Sequence, residues 1–129
     1  MQGSIANIIP LLIDIQPGEF PNSINPHSKG TIPVAILTNA DFYAHTVDSN
    51  SVRFGKTGME APAMHATLED VDRDGDVDLT LYFRIQDTGI QCRDKQASLT
   101  GKTTSRQAIK GSDSLVTVGF STRQISNSF

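Results

Sequence analysis

From Leu79 to Ile85 the side chains alternate without a break, with Leu79, Leu81, Phe83 and Ile85 on one face and Thr80, Tyr82 and Arg84 on the other. A repeat of two is the repeat of a strand, so this segment predicts a β-strand with one face in a core. Thr31 to Thr38 differs, because Ile32, Val34 and Ile36 alternate with Pro33, Ala35 and Leu37, which are also apolar. Two apolar faces place this strand centrally in a sheet, with Pro33 near its start or beside a bulge, since proline has no N–H for the ladder. Shorter runs predict strands at Leu11 to Ile15, Ser51 to Phe54, Ala63 to Leu68, Gln96 to Leu99 and Leu115 to Phe120, with a weaker one at Gln107 to Ile109. Gly, Pro, Asn, Asp and Ser clusters separate them, and helix-period patterning is scarce. Pro17 to Lys29 reads as a long loop, and Ala40 to Asn50 as a connection with room for one helical turn. The expectation is all-β: an Ig-like or jelly-roll-like antiparallel β-sandwich of about eight strands, with a calcium loop between two of them. Residues 11–120 form the sandwich, residues 1–10 an apolar N-terminal strand or arm, and residues 121–129 a polar tail.

A chain of 129 residues has room for one domain with a real core. Its 11 Lys and Arg stand against 14 Asp and Glu with no basic run, so the footprint of a nucleic-acid binder is missing. The most apolar stretch, Ile5 to Ile15, is broken by Asn7, Pro10 and Asp14 and falls well short of the roughly 20 residues of a membrane span. Met1 to Ser4 carries no basic residue and does not read as a signal peptide, so a secreted form is expected to have lost its signal. The single cysteine, Cys92, excludes an internal disulfide and a CxxC zinc site. Beside Arg93 it could be a reactive thiol, although an isolated cysteine is more often incidental.

One motif stands apart: Asp70-Val71-Asp72-Arg73-Asp74-Gly75-Asp76-Val77-Asp78, which fits the D-x-D-x-D-G-x-x-D pattern of a calcium loop. In such a curl Asp70, Asp72 and Asp74 point inward, Gly75 permits the left-handed turn, Asp76 offers its backbone carbonyl and Asp78 closes the cage. Oxygen donors without Cys or His favour calcium over zinc or copper. These nine residues carry a net charge of −4 while the rest of the chain is +1. Without a cation the carboxylates repel one another, which raises a pKa or opens the loop. The alternative is a solvated acidic turn without metal. Leu81 stands where a true EF-hand has its bidentate Glu, and the flanks are strand-like.

The loop resembles the β-flanked calcium loops of integrin-type FG-GAP and related repeats, in which Asp at the ninth position closes the cage. Such loops bind with modest affinity, on the order of 10⁻⁴ M or somewhat tighter, suited to extracellular calcium. The likeness extends to Ile13-Asp14-Ile15-Gln16-Pro17-Gly18, Pro21-Asn22-Ser23-Ile24-Asn25, Ser28-Lys29-Gly30 and Ile32-Pro33-Val34-Ala35-Ile36-Leu37. It continues through Ser51-Val52-Arg53-Phe54-Gly55, Leu68 to Asp78, Gln86-Asp87-Thr88-Gly89 and Ala97-Ser98-Leu99-Thr100-Gly101. Over roughly residues 11–119 the chain is similar to a calcium-binding β-module of secreted and cell-surface bacterial proteins. The resemblance implies a β-rich, calcium-loaded extracellular unit and no particular reaction.

Three readings of function follow. Catalysis finds little support, since His27, His45 and His65 are scattered and no G-x-S-x-G, H-E-x-x-H or P-loop is present. A carbohydrate-binding module would stack sugar rings on exposed aromatics, for which Tyr43, beside Phe42, and Tyr82 are the candidates in a chain without Trp. A structural, self-assembling or adhesive unit, forming homo-oligomers or filaments, is favoured by the aliphatic run containing Ile5, Ile8, Ile9, Leu11 and Ile13. That strand either packs in its own domain or completes a neighbour's sheet, a contact that propagates into filaments. Asp87, Asp94 and Asp113 are weaker candidates for a second calcium site, set against ordinary turn capping.

Overall fold

The computed structural model describes residues 7–118. Ile5 and residues 121–129, part of the expected arm and tail, lie outside the described residues. The strands are β1 (Ile8–Pro10), β2 (Ile13–Ile15), β3 (Ser23–Ile24), β4 (Thr31–Ile36), β5 (Arg53–Gly55), β6 (Ala61–Glu69), β7 (Asp78–Arg84), β8 (Gln96–Lys102), β9 (Ala108–Ser114) and β10 (Val116–Thr117). Short 3-10 turns at Ala44–Thr46, Ser49–Ser51 and Ile85–Asp87 are the only helical segments among the described residues. The chain is all-β, as the alternation predicts.

Eight strands form one curled sheet in the order β1-β9-β8-β5-β6-β7-β4-β2, while β10 and β3 make a separate pair. The pairing is mixed rather than wholly antiparallel, because β1 runs parallel to β9 and β10 parallel to β3. β6 turns the corner: its start pairs with β5 at Pro62 and Ala61, and after a register shift between Ala63 and His65 it follows β7 to Glu69. The two ends of the sheet are consecutive in sequence. Leu11 N–H donates to the Lys110 carbonyl (2.8 Å), and the Leu12 carbonyl then accepts from Leu37 N–H (3.0 Å). The N-terminal stretch thus steps from β9 to β4 and closes the sheet on itself. Gly111 sits at this crossing, where a Cβ would meet the Leu11 carbonyl oxygen at 2.9 Å.

The core lies inside the curl. Leu79, Leu81 and Phe83 of β7 face Phe54, Leu99, Ile109 and the aliphatic residues of β2 and β4, and Phe54 meets Phe83 with ring centroids 5.1 Å apart. Each such side chain contributes about 1.5–3 kcal/mol by leaving water. Leu11 and Ile13, candidates for a donated strand, are buried in this same core, whereas Ile9 is half-buried and Ile8 exposed.

β4 is central, between β7 and β2, and Pro33 is its third residue. The Pro33 carbonyl accepts from Gln16 N–H (2.8 Å), so its donor-less nitrogen faces the same edge, just where β2 has ended. The Gln107 to Ile109 run becomes the seven-residue β9, because β8 pairs with it along its whole length from Gln96↔Ser114 to Lys102↔Ala108. Leu115 to Phe120 shrinks to Val116–Thr117, with Phe120 outside the described residues.

Candidate metal centre

β6 and β7 stay paired up to Glu69↔Asp78, and the intervening residues form the acidic loop. Asp70 organises its curl: one oxygen accepts from Gly75 N–H (2.9 Å) and the other from Asp74 N–H (3.2 Å). Asp74 in turn accepts from Asp76 N–H (2.9 Å). Gly75 has φ +96° with open space around it, so glycine is needed for its backbone conformation and not for room.

Asp70, Asp72, Asp74 and Asp78 each bring a carboxylate oxygen to within 4.8 Å of the others, so the cluster could hold a metal ion. Three of these residues are exposed, and Asp78 is fully buried. The Asp76 carboxylate is not in the cluster. Asp78 also anchors the loop: one oxygen accepts from Thr38 N–H (2.8 Å), just past β4, and the other from Val71 N–H (3.0 Å). The Thr38 hydroxyl donates to the Val77 carbonyl (2.6 Å) and accepts from Ala44 N–H (2.8 Å). Thr38 thereby ties the base of the loop to the segment following β4. Sequence reasoning missed it, since nothing local marks a threonine that acts across 40 residues of chain.

The clustered carboxylates perturb one another. Partial desolvation, the Asp78 charge and hydrogen bonding and repulsion from Asp74 push the Asp72 carboxyl up to about 6. In Asp70 desolvation acts upward too, but N–H donation from Gly75 and Asp74 outweighs it and holds the carboxyl below its usual value. Four carboxylates around one point suit a hard cation.

The other candidate residues are not members of this cluster. Tyr82 is half-buried and stacks on His65 with centroids 4.3 Å apart, lining a cleft of about 340 Å³ beside Glu69, Asp70 and Arg73. Tyr43 is exposed, tilts against His45 at 5.7 Å and lines a different cleft, while Phe42 beside it turns into the core. The two tyrosines therefore do not form one platform. Asp87 lies 3.5 Å from Arg84, Asp94 pairs with Lys56 at 2.8 Å, and Asp113 accepts from Ile15 N–H and the Asn22 amide. Those three carboxylates serve separate local structures and are not gathered into a second cation site. Cys92 and all three histidines are exposed.

Comparison of the chain with protein-family models, curated proteins and solved structures finds no match. Among the described residues no helix is long and apolar enough to cross a membrane.

Proposed function

We propose that this protein is a non-catalytic, calcium-binding structural module that works outside the cell or on its surface as a self-assembling or adhesive unit. The observation that carries the reading is the convergence of Asp70, Asp72, Asp74 and Asp78 within 4.8 Å in a loop whose base is tied through Asp78 to Thr38, just past β4. Calcium takes 6 to 8 oxygens, which four carboxylates, the Asp76 carbonyl and one or two waters supply. Binding would stabilise the fold, because the ion joins the two ends of the β6–β7 hairpin and, through Asp78 and Thr38, the end of β4. At a calcium concentration 100 times the dissociation constant the gain is about 2.7 kcal/mol. The extracellular assignment rests on the expected modest affinity and on the resemblance to secreted modules.

The test is the melting temperature in millimolar calcium, in millimolar magnesium and in chelator. Calcium is expected to raise it by several degrees and magnesium by much less; equal values in all three buffers would refute the reading.

Carbohydrate binding is the second reading, and the Tyr82 cleft favours it. An aromatic ring stacked on His65 beside Glu69, Asp70 and Arg73 offers an apolar face and hydrogen-bonding groups together. Tyr82→Ala is expected to abolish glycan retention in calcium; a glycan array without hits for the wild-type chain would refute this reading.

A further inference from the structure

A groove of about 510 Å³ lies across the outer face of β5, β8, β9 and β1. Strand register explains its composition. Arg53 pairs with Thr100 and Thr100 with Lys110, so the two cations flank a threonine in one cross-strand row. Two residues along, Lys102 pairs with Ala108 and Ala108 with Ile8, which puts a third cation and two apolar side chains on the same face. Met59 and Arg106 complete the rim. Ile8 is 53% and Met59 69% exposed, so the groove presents apolar surface to solvent. Among the described residues the ion pairs are Lys56–Asp94 and Arg84–Asp87, so none of the four groove cations has a carboxylate partner.

The complement of this surface is on the same molecule. The loop from Asp70 to Asp78 has a net charge of −4, reduced to −2 by one calcium ion, and exposed Leu68 and Val77 give it apolar shoulders. It projects from the end of the β6–β7 hairpin, and none of its residues lines the groove.

We propose that the groove receives the acidic loop of a second copy of this chain, giving a head-to-tail contact. Donor and acceptor surfaces differ, so each bound copy presents a fresh groove or loop and the contact propagates into chains instead of closing as a two-fold dimer. This rests on the structural-module reading and replaces strand exchange with surface docking, since Leu11 and Ile13 are occupied in their own core. One loop in one groove is a small interface, so association is weak and strongly dependent on ionic strength.

The experiment uses sedimentation velocity in millimolar calcium with the full chain and two variants. Lys102→Glu/Lys110→Glu reverses the groove; Glu69→Lys/Val77→Lys alters the loop shoulders and leaves the four clustered aspartates intact. The wild type is expected to form concentration-dependent oligomers at ~50 mM salt, weakened about tenfold or more at ~500 mM. Each variant alone should be monomeric, and an equimolar mixture should form dimers that grow no further, because it retains one intact groove and one intact loop per pair. The proposal is overturned if the wild type is monomeric at low salt, if either variant associates like the wild type, or if the mixture stays monomeric. It is also overturned if the wild type stays monomeric while its groove binds an acidic polysaccharide such as polygalacturonate. A calcium-induced rise in melting temperature, measured on the same samples, separates failure of this interface from failure of the calcium reading.

Discussion

Asp78→Ala separates the two roles that one side chain plays. Asp78 is completely buried, and its oxygens accept from the N–H groups of Thr38 and Val71. Truncation leaves the buried Thr38 N–H without a partner, at about 1–3 kcal/mol, and the part-buried Val71 N–H at about 1 kcal/mol or less, so the calcium-free protein should lose about 1–4 kcal/mol. Relief of repulsion toward Asp72 returns a small part of this. A domain of this size has only about 5–15 kcal/mol of stability, so the urea midpoint in chelator should fall markedly. Asp78→Asn keeps one acceptor and should fall between. Asp74→Ala is the control: Asp74 is exposed and its hydrogen bonds, from Asp76 N–H and with the Asp72 side chain, stay within the loop, so in chelator it should unfold close to wild type while losing calcium binding. Equal midpoints for Asp78→Ala and Asp74→Ala in chelator would refute the assignment of Asp78 as the anchor of the loop.

Calcium affinity should fall about tenfold between pH 7 and pH 5, measured by titration calorimetry, because the cation must displace the proton that Asp72 holds below about pH 6. In the calcium-free protein the sign for stability is the reverse: a carboxyl raised on folding contributes stability that is full below about 3.8 and is lost as pH rises through about 6. Asp14, raised by burial and by the Asp113 charge, acts in the same direction, so chelated protein should melt lower at pH 7 than at pH 5. Gly75→Ala should cost about 1–2 kcal/mol in chelator through its left-handed backbone and not through a clash, as read from urea midpoints. Gly111→Ala places a methyl 2.9 Å from the Leu11 carbonyl oxygen and 3.0 Å from Ile13 Cγ2, and should cost about 1–3 kcal/mol; no loss would refute the close crossing that seals the sheet.

Local pattern carried the parts of this fold that depend on local pattern. The alternation in Leu79 to Arg84 and the doubly apolar Ile32 to Ile36 mark β7 and β4, and the spacing of Asp70, Asp72, Asp74 and Asp78 places four carboxylates together without any knowledge of the fold. β9 was faint because Lys110, Gly111, Ser112 and Asp113 carry little apolar signal; its length comes from seven pairs offered by β8. The step of residues 11–12 from β9 to β4 was hidden because an aliphatic run looks the same whether it closes its own sheet or enters a neighbour's. Phe42 reads as a loop aromatic and is buried, since burial depends on what folds over it. The cationic groove was invisible in composition, because Arg53, Lys102, Arg106 and Lys110 are dispersed in sequence and only the register of β5, β8 and β9 gathers them.

Whether the acidic loop binds calcium is decided by titrating calcium into chelator-stripped protein at neutral pH by isothermal calorimetry, alongside Asp72→Asn. One ion per chain is expected in the wild type, with a dissociation constant on the order of 10⁻⁴ M or tighter, and at least a tenfold loss in the variant. Absence of saturable heat in the wild type up to ~10 mM calcium, or an unchanged isotherm for Asp72→Asn, would contradict calcium binding by this loop.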